Sequence, residues 1–229
     1  MTLLYYAGYL TLTVCYFYSI VLSILISAKG NGRVKIPNKE VRTDWARWIT
    51  SAVEPRASDL ILETCMEGPV RDFTLKWPNF MQQHLDPKLV SKVRGAISNK
   101  TPEGIYHVFF LGLILSTSAK GWEVSIEPRT GGGFVDIRLC HRRKHTAVLI
   151  ELRSSEKREN MERDANKALN QIVEKNYRNP EGLLNIRTLR EYGIASFRLD
   201  SYVKGRYLEP DGQNQWVEKD DPAMAVSIS

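Results

Sequence analysis

The clearest pattern of hydrophobic and polar positions lies in the second half of the chain, where short apolar runs alternate with turn residues. Short runs rich in β-branched and aromatic residues predict strands, and apolar residues spaced three or four apart predict a helix. The predicted strands are residues 122–127, 133–139, 147–153, 190–197 and 201–208, and the predicted helix is 154–178. This order predicts an α/β fold with a mixed central sheet flanked by helices.

The residues ahead of these strands have helical spacing. Asn38 is a good N-cap for a first helix, and shorter helices follow that are broken at Pro78 and Pro87. Thr101 and Pro102 mark the start of a longer apolar helix. We therefore predict three regions after the N-terminus: a small helical N-terminal subdomain at 37–97, an α/β domain at 98–209 and a polar tail at 210–229.

Residues 1–28 form an apolar segment without a charged side chain. The run is long enough to span a bilayer. Lys29, Arg33 and Lys35 follow it, so an inserted helix would leave most of the chain on the cytoplasmic side. A membrane anchor formed by residues 3–27 is therefore one interpretation of this segment.

Composition adds a charge asymmetry to this picture. The 229-residue chain carries a net charge of +6, and its hydrophobic (43%) and charged (25%) fractions are ordinary for a globular protein. Between residues 129 and 158 there are eight Lys or Arg and three Asp or Glu. Such a cluster suits a polyanionic partner, and it is equally typical of a solvated loop.

The cysteines exclude two classes of protein. Cys15, Cys65 and Cys140 are scattered, form no zinc-site spacing and are odd in number, which argues against a disulfide framework. They predict an intracellular, reducing compartment, the cytoplasm or the nucleus. The sequence also lacks the GxxxxGK[ST] motif of a P-loop nucleotide site.

The residues that could form a catalytic site lie in the second and third predicted strands, inside the basic cluster. Asp136 occupies the centre of one apolar run, Glu151 occupies the next, and Arg153 follows two residues later. A hairpin would bring the carboxylates together, and Glu151 and Arg153 would share a face of their strand. Two carboxylates and a cation on a buried sheet make little sense as packing. They match a divalent-metal site that acts on a phosphodiester.

At these residues the chain resembles the PD-(D/E)XK nuclease superfamily, whose pattern is an Asp, a hairpin and then Glu-x-Lys. The resemblance runs in the correct order over residues 37–209, and it is closest to the branch found C-terminal to an AAA-ATPase-like domain in bacteria and fungi. It also rests on the segments TPEGIYHVFFLGL (101–113), GWEVSIE (121–127), ALNQIVEKNY (168–177) and EYGI (191–194). Arg153 stands where the family has its catalytic lysine.

The resemblance implies a restriction-endonuclease-like core and a site for Mg²⁺ or Mn²⁺. Asp136 and Glu151 would hold the ion, with the carbonyl of Leu152 as a third oxygen and with Glu127 or Glu103 acting through water. The predicted catalytic residues are Asp136, Glu151, Arg153 and Gln171. The predicted nucleic-acid-binding residues are Arg129, Arg142, Arg143, Lys144, Lys175, Arg178 and His107.

The resemblance also implies partners and a second interpretation of the N-terminus. Nucleic acid is the expected substrate, with DNA favoured over RNA, and an AAA-ATPase-like partner would have to be a separate chain. Residues 4–11 and 35–42 look like two motifs that normally adjoin. The apolar segment between them would then be an insertion, which we favour over a membrane anchor.

Three functional hypotheses follow. The leading one is a metal-dependent nuclease, or a degenerate copy in which Arg153 has replaced the lysine. The first alternative is a non-catalytic nucleic-acid-binding or assembly module, because arginine is bulkier than lysine and always charged. The second alternative is a membrane-anchored protein, which depends on residues 3–27 alone.

Overall fold

The computed structural model describes residues 11–13, 33–35, 54–90, 103–114, 121–126, 128–179, 182–213 and 215–221. Its helices are α1 (Pro55–Met66), α2 (Val70–His84), α3 (Pro87–Val90), α4 (Glu103–Ile114) and α5 (Met161–Glu174), with 3₁₀ turns at Arg142–Lys144 and Arg158–Asn160. Its strands are β1 (Thr11–Thr13), β2 (Arg33–Lys35), β3 (Glu123–Ile126), β4 (Arg129–Thr130), β5 (Gly133–Phe134), β6 (Ile137–His141), β7 (Thr146–Ser154), β8 (Thr188–Phe197), β9 (Asp200–Pro210) and β10 (Trp216–Glu218).

Six of these strands form one mixed sheet in the order β10-β9-β8-β7-β6-β3. β7 and β8 are parallel, and the other neighbouring pairs are antiparallel. A parallel pair needs a crossover connection, and α5 supplies it between β7 and β8. The predicted α/β fold with a mixed central sheet and flanking helices is confirmed.

The central strand β7 separates two hydrophobic layers. Val148 and Ile150 pack with α1, α2 and α4 on one face, whereas Ala147 and Leu149 pack with α5 on the other. All its residues are buried except Arg153, which is partly exposed. Because side chains alternate along a strand, Glu151 and Arg153 lie on the α5 side.

The described helices of the predicted helical subdomain share a core with the sheet. The ring of Phe73 in α2 lies 4.7 Å from that of Tyr192 in β8, and Trp77 lies 4.7 Å from Phe110 in α4. The Tyr192 hydroxyl also donates a hydrogen bond to the Cys65 carbonyl of α1 at 3.0 Å. α1 and α2 therefore extend the core of the α/β domain.

The C-terminal region differs from the predicted polar tail. β10 pairs with β9, and Trp216 packs against the core on the α5 face. Asp221 is buried, and its Oδ2 accepts a hydrogen bond from the amide of Val70 at 2.8 Å. This carboxylate caps the start of α2 from 151 residues away, a contact that no local pattern reveals.

Asp221→Ala is expected to lower the free energy of unfolding by about 1–2 kcal/mol, because the first amide of α2 loses its acceptor. Thermal or urea unfolding followed by circular dichroism measures the loss. Asp220→Ala is the matched control, since Asp220 is exposed. Equal effects of the two substitutions would show that the cap contributes nothing.

β1 and β2 form a separate antiparallel pair in which Thr13 lies opposite Arg33. The choice between an insertion and a membrane anchor depends on residues 1–28, and most of these lie outside the described residues. Across the ranges given above, no helix is both long and apolar enough to cross a membrane.

Candidate active site

Asp136 lies in a break of the predicted second strand. Residues 133–139 form two short strands instead of one, because β5 ends at Phe134 and β6 begins at Ile137. β5 pairs with β4 in a hairpin of its own, and Ile137 pairs with Ile150 of β7. The break therefore lies beside Glu151.

Each of the two predicted carboxylates accepts a hydrogen bond from the backbone near the other. The Asp136 amide donates a hydrogen bond to Glu151 Oε1 at 3.3 Å, and the Leu152 amide donates to Asp136 Oδ2 at 2.7 Å. Each acid thus accepts an amide from the segment that carries the other. The structure brings Asp136 and Glu151 together at one end of the β6–β7 hairpin.

Burial and proximity make this pair of acids hard to ionise. Glu151 is 2% exposed, and the side chain of Asp136 is 16% exposed. Burial and then the neighbouring Asp136 carboxylate raise the pKa of Glu151 to about 9. Burial also raises the pKa of Asp136, against the opposing effect of His107. At neutral pH and without a cation, the pair therefore retains a proton.

α4 contributes a second group of side chains to the site. His107 Nε2 lies 3.5 Å from Asp136 Oδ2 and 4.0 Å from Glu103 Oε1. Glu103 Oε2 in turn accepts a hydrogen bond from the Ser154 amide at 3.2 Å. His107 is buried, and its Nε2 has no hydrogen-bond partner among the described residues. Its place beside Asp136 suits it to orient that carboxylate rather than to contact nucleic acid.

Gln171 of α5 connects Glu151 to Arg153. Its Nε2 donates hydrogen bonds to Glu151 Oε2 at 3.1 Å and to the Tyr177 hydroxyl at 3.4 Å. Its Oε1 accepts a hydrogen bond from Arg153 Nη2 at 2.5 Å. One amide therefore orients both predicted site residues of β7. Tyr177 was not among the predicted site residues. The predicted helix 154–178 included it, whereas α5 ends at Glu174 and the turn that follows brings the Tyr177 hydroxyl to Gln171.

Gly193 explains how α5 comes close enough for this contact. It pairs with Glu151 across β7 and β8. A Cβ atom there would lie 2.3 Å from the Ala165 carbonyl oxygen and 2.4 Å from the Leu169 nitrogen of α5. Only glycine permits this approach, so it allows Gln171 to reach Glu151.

The basic connector 140–145 does not surround the carboxylates. Its 3₁₀ turn lies at the far end of the β6–β7 hairpin, and the five steps from Asp136 to His141 cover about 16 Å of strand. Lys144 pairs with Glu67 at 2.5 Å, and Arg142 pairs with Glu123 at 3.1 Å. Arg143 is exposed and has no ion-pair partner within the described part of the chain. Residues close in sequence are distant here because an extended hairpin separates its turn from its open end.

Arg178 and Lys175, both predicted to bind nucleic acid, differ in their surroundings. Arg178 donates from Nε and Nη2 to the carboxylate of Glu191 at 2.6 and 2.8 Å, and Arg206 donates to the same carboxylate at 2.9 Å. Glu191 is fully buried and the side chain of Arg178 is 18% exposed, so this guanidinium stabilises the core. Lys175 is exposed and remains accessible to a phosphate.

The donor set fits a hard divalent cation. Mg²⁺ commonly takes one or two carboxylates and keeps several waters, and Asp136 and Glu151 provide such a pair. Burial and the proximity of the two acids raise their pKa values against the opposing effects of His107 and Arg153, so a bound cation would stabilise the ionised pair. Within the described ranges, no three His, Cys, Asp or Glu residues are arranged to hold a metal, so an ion would need water or phosphate oxygens. Glu127 and the side chain of Arg129 lie outside the described residues.

Comparison with known families agrees with this geometry. Residues 101–203 match the family model described as the PD-(D/E)XK nuclease superfamily. These residues form a domain of this superfamily. The match extends from the start of α4 into β9, and it includes every element that brings a side chain to the carboxylate pair. No curated protein matches the chain.

The match to the PD-(D/E)XK nuclease superfamily includes the candidate site residues. Asp136 lies before the β6–β7 hairpin, and Glu151 and Arg153 lie two residues apart after it. Nuclease-like function is the coarse conclusion that the match supports.

Proposed function

We propose that the domain binds nucleic acid and hydrolyses its phosphodiester bonds slowly, with Mg²⁺ or Mn²⁺ held between Asp136 and Glu151. The observation that carries this proposal is the buried pair of carboxylates, in which each acid accepts a backbone amide from the other's segment. Two such acids with raised pKa values destabilise a fold unless a cation joins them. Perturbed acids of this kind are typical of functional sites.

The surrounding residues would prepare the site for a phosphate. A bound divalent cation would lower the pKa of a coordinated water and polarise the scissile phosphate. Gln171 holds the Glu151 carboxylate and the Arg153 guanidinium in fixed positions. Arg153 would stabilise negative charge on the phosphate, and His107 would hold Asp136 Oδ2 in place.

Arg153 is the reason that we propose slow turnover. Lysine offers a compact ammonium that can sit close to an attacking water, whereas arginine offers a planar fork. The fork is already engaged by Gln171 through Nη2. The same contact favours a second candidate function, a non-catalytic nucleic-acid-binding module.

The preference for DNA over RNA and a separate AAA-ATPase-like partner are further parts of the proposal that rest on family resemblance.

A cleavage assay tests the proposal directly. The natural chain is incubated with plasmid DNA, single-stranded DNA and RNA in Mg²⁺, Mn²⁺ or EDTA, beside Asp136→Asn as the matched inactive variant. We expect weak cleavage that needs the divalent ion and Asp136. Binding of nucleic acid without any cleavage would favour the module, and absence of both would reject the proposal.

Binding of Mn²⁺ is expected to release close to one proton at pH 7, because the acid pair retains a proton that the cation displaces. Titration calorimetry in two buffers of different ionisation enthalpy measures this release. The heats should differ between buffers for the natural chain and vanish for Asp136→Ala. Equal heats for both proteins would exclude Asp136 as a ligand.

A further inference from the structure

One exposed aromatic side chain lies at the edge of the carboxylate site. Phe134 ends β5 and is 53% exposed. Asp136 follows two residues later, and two residues of extended chain span at most about 7 Å. The other large apolar side chains exposed in the described part of the chain are aliphatic: Leu60, Leu75, Val173, Leu184 and Val217.

Burial sets Phe134 and Asp136 apart from the residue between them. Val135 is fully buried, whereas Phe134 is exposed and Asp136 is partly exposed. The backbone bends at Asp136, in the break between β5 and β6. The ring of Phe134 is therefore accessible within about 7 Å of chain from the carboxylate at which a phosphate would bind.

The β4–β5 hairpin that carries Phe134 is held against the end of α5. The Gly132 amide donates a hydrogen bond to the Lys175 carbonyl at 2.7 Å. Gly131 has φ +51°, and a Cβ atom there would lie 2.4 Å from the Asn176 carbonyl oxygen, so glycine is required for this contact. A Cβ atom at Gly133 would lie 3.1 Å from the Tyr177 hydroxyl, so β5 also packs against the turn after α5. The helix that orients Glu151 through Gln171 therefore also positions the aromatic ring.

Charge and shape at this edge match an unpaired nucleotide. Lys175 is exposed beside Gly132 and forms no ion pair with a described residue, so it can contact a phosphate next to the ring. Phenylalanine has no hydrogen-bonding group, and its ring stacks on any base. Bases in an intact duplex are already stacked and do not offer a face to such a ring.

We propose that Phe134 stacks on an unpaired nucleobase beside the phosphate at Asp136, so that the site prefers single-stranded or frayed nucleic acid over intact duplex. This inference rests on the proposed function and names its substrate class. Phe134 is then a substrate-binding residue, with Lys175 as the neighbouring phosphate contact.

The test compares binding of a fluorescent single strand and a blunt duplex of equal length in EDTA, which prevents cleavage. Phe134→Ala and Phe134→Leu are expected to weaken single-strand binding about ten-fold, as for one lost stacking contact, and to change duplex binding less than about two-fold. Phe134→Trp should retain tight binding. Leu75→Ala, at an exposed site on α2, is the control.

A 2-aminopurine base in the single strand reports stacking itself. Its fluorescence should be quenched by the natural chain and by Phe134→Trp, and not by a folded Phe134→Leu. Equal loss of single-strand and duplex binding in Phe134→Leu, or unchanged quenching, would overturn this inference alone. If the natural chain binds neither nucleic acid, the proposed function fails together with it.

Discussion

Arg153→Lys is expected to raise metal-dependent cleavage about ten- to hundred-fold over the natural chain, which corresponds to about 1.4–2.7 kcal/mol of transition-state stabilisation. The guanidinium of Arg153 is bound by Gln171, and its buried Nε has no hydrogen-bond partner among the described residues. Lysine removes the fork and places one compact charge near Glu151. Initial rates of cleavage on a labelled single strand in Mn²⁺ measure the gain.

Two controls make this result specific. Arg143→Lys makes the same chemical change at the exposed turn, about 16 Å of strand away from the carboxylates, and should leave the rate unchanged. Arg153→Lys combined with Asp136→Asn should be inactive. A folded Arg153→Lys protein that binds nucleic acid and cleaves no faster than the natural chain would favour the binding-module function.

Asp136→Asn is expected to stabilise the protein by about 2 kcal/mol at pH 8 in EDTA. The asparagine oxygen can still accept the Leu152 amide, and its amide can donate to Glu151, so Glu151 no longer has to take up a proton at pH 8 to avoid a like charge. The same substitution should abolish metal binding. Stability would thus rise where function is lost.

The free energy of unfolding is expected to depend on pH because Glu151 ionises at a different pH in the folded and unfolded states. The pKa of Glu151 is raised to about 9 in the folded protein from an ordinary value of 4.5, so the folded state binds more protons between these values. The free energy of unfolding should therefore fall as pH rises from about 5 to 9, by about 2–4 kcal/mol in the natural chain. In Asp136→Asn the fall should be smaller, because burial alone then raises the pKa of Glu151.

Urea unfolding at several pH values, with and without Mn²⁺, measures these differences. Asp220→Asn is the matched control, because Asp220 is exposed. Saturating Mn²⁺ should stabilise the natural chain and not the Asp136→Asn variant. A natural chain whose stability rises steadily from pH 5 to 9 would contradict the buried acid pair.

The proximity of several candidate site residues was predictable from spacing alone. Glu151 and Arg153 share a face because side chains alternate along a strand. The short connector between the two apolar runs predicts a hairpin, and a hairpin brings Asp136 close to Glu151. Gln171 followed from family resemblance and from its position at the edge of the buried stripe of α5. The structure places all four in one hydrogen-bonded network, although no pattern indicated that Gln171 would hold Arg153.

Other features depended on contacts between distant residues. The predicted helix at 154–178 begins only at Met161, because β7 continues through Ser154 and the Ser155 amide bonds to the Ser196 carbonyl at 2.8 Å. The predicted strand at 133–139 is broken, because the hairpin that ends at Phe134 docks on the turn after α5. Neither contact can be predicted from local secondary-structure propensity.

The sequence by itself determined the order of the main strands β3, β6, β7, β8 and β9, the mixed α/β class and the two candidate acids, because hydrophobic periodicity and residue chemistry are local properties. Only the tertiary structure decided that His107 lies beside Asp136, that Arg178 is neutralised by Glu191, and that the basic turn lies far from the acids. These depend on which ends of the strands meet and how closely a helix packs on a glycine. These three spatial relationships arise from strand pairing across the whole sheet, which brings together residues that are distant in sequence.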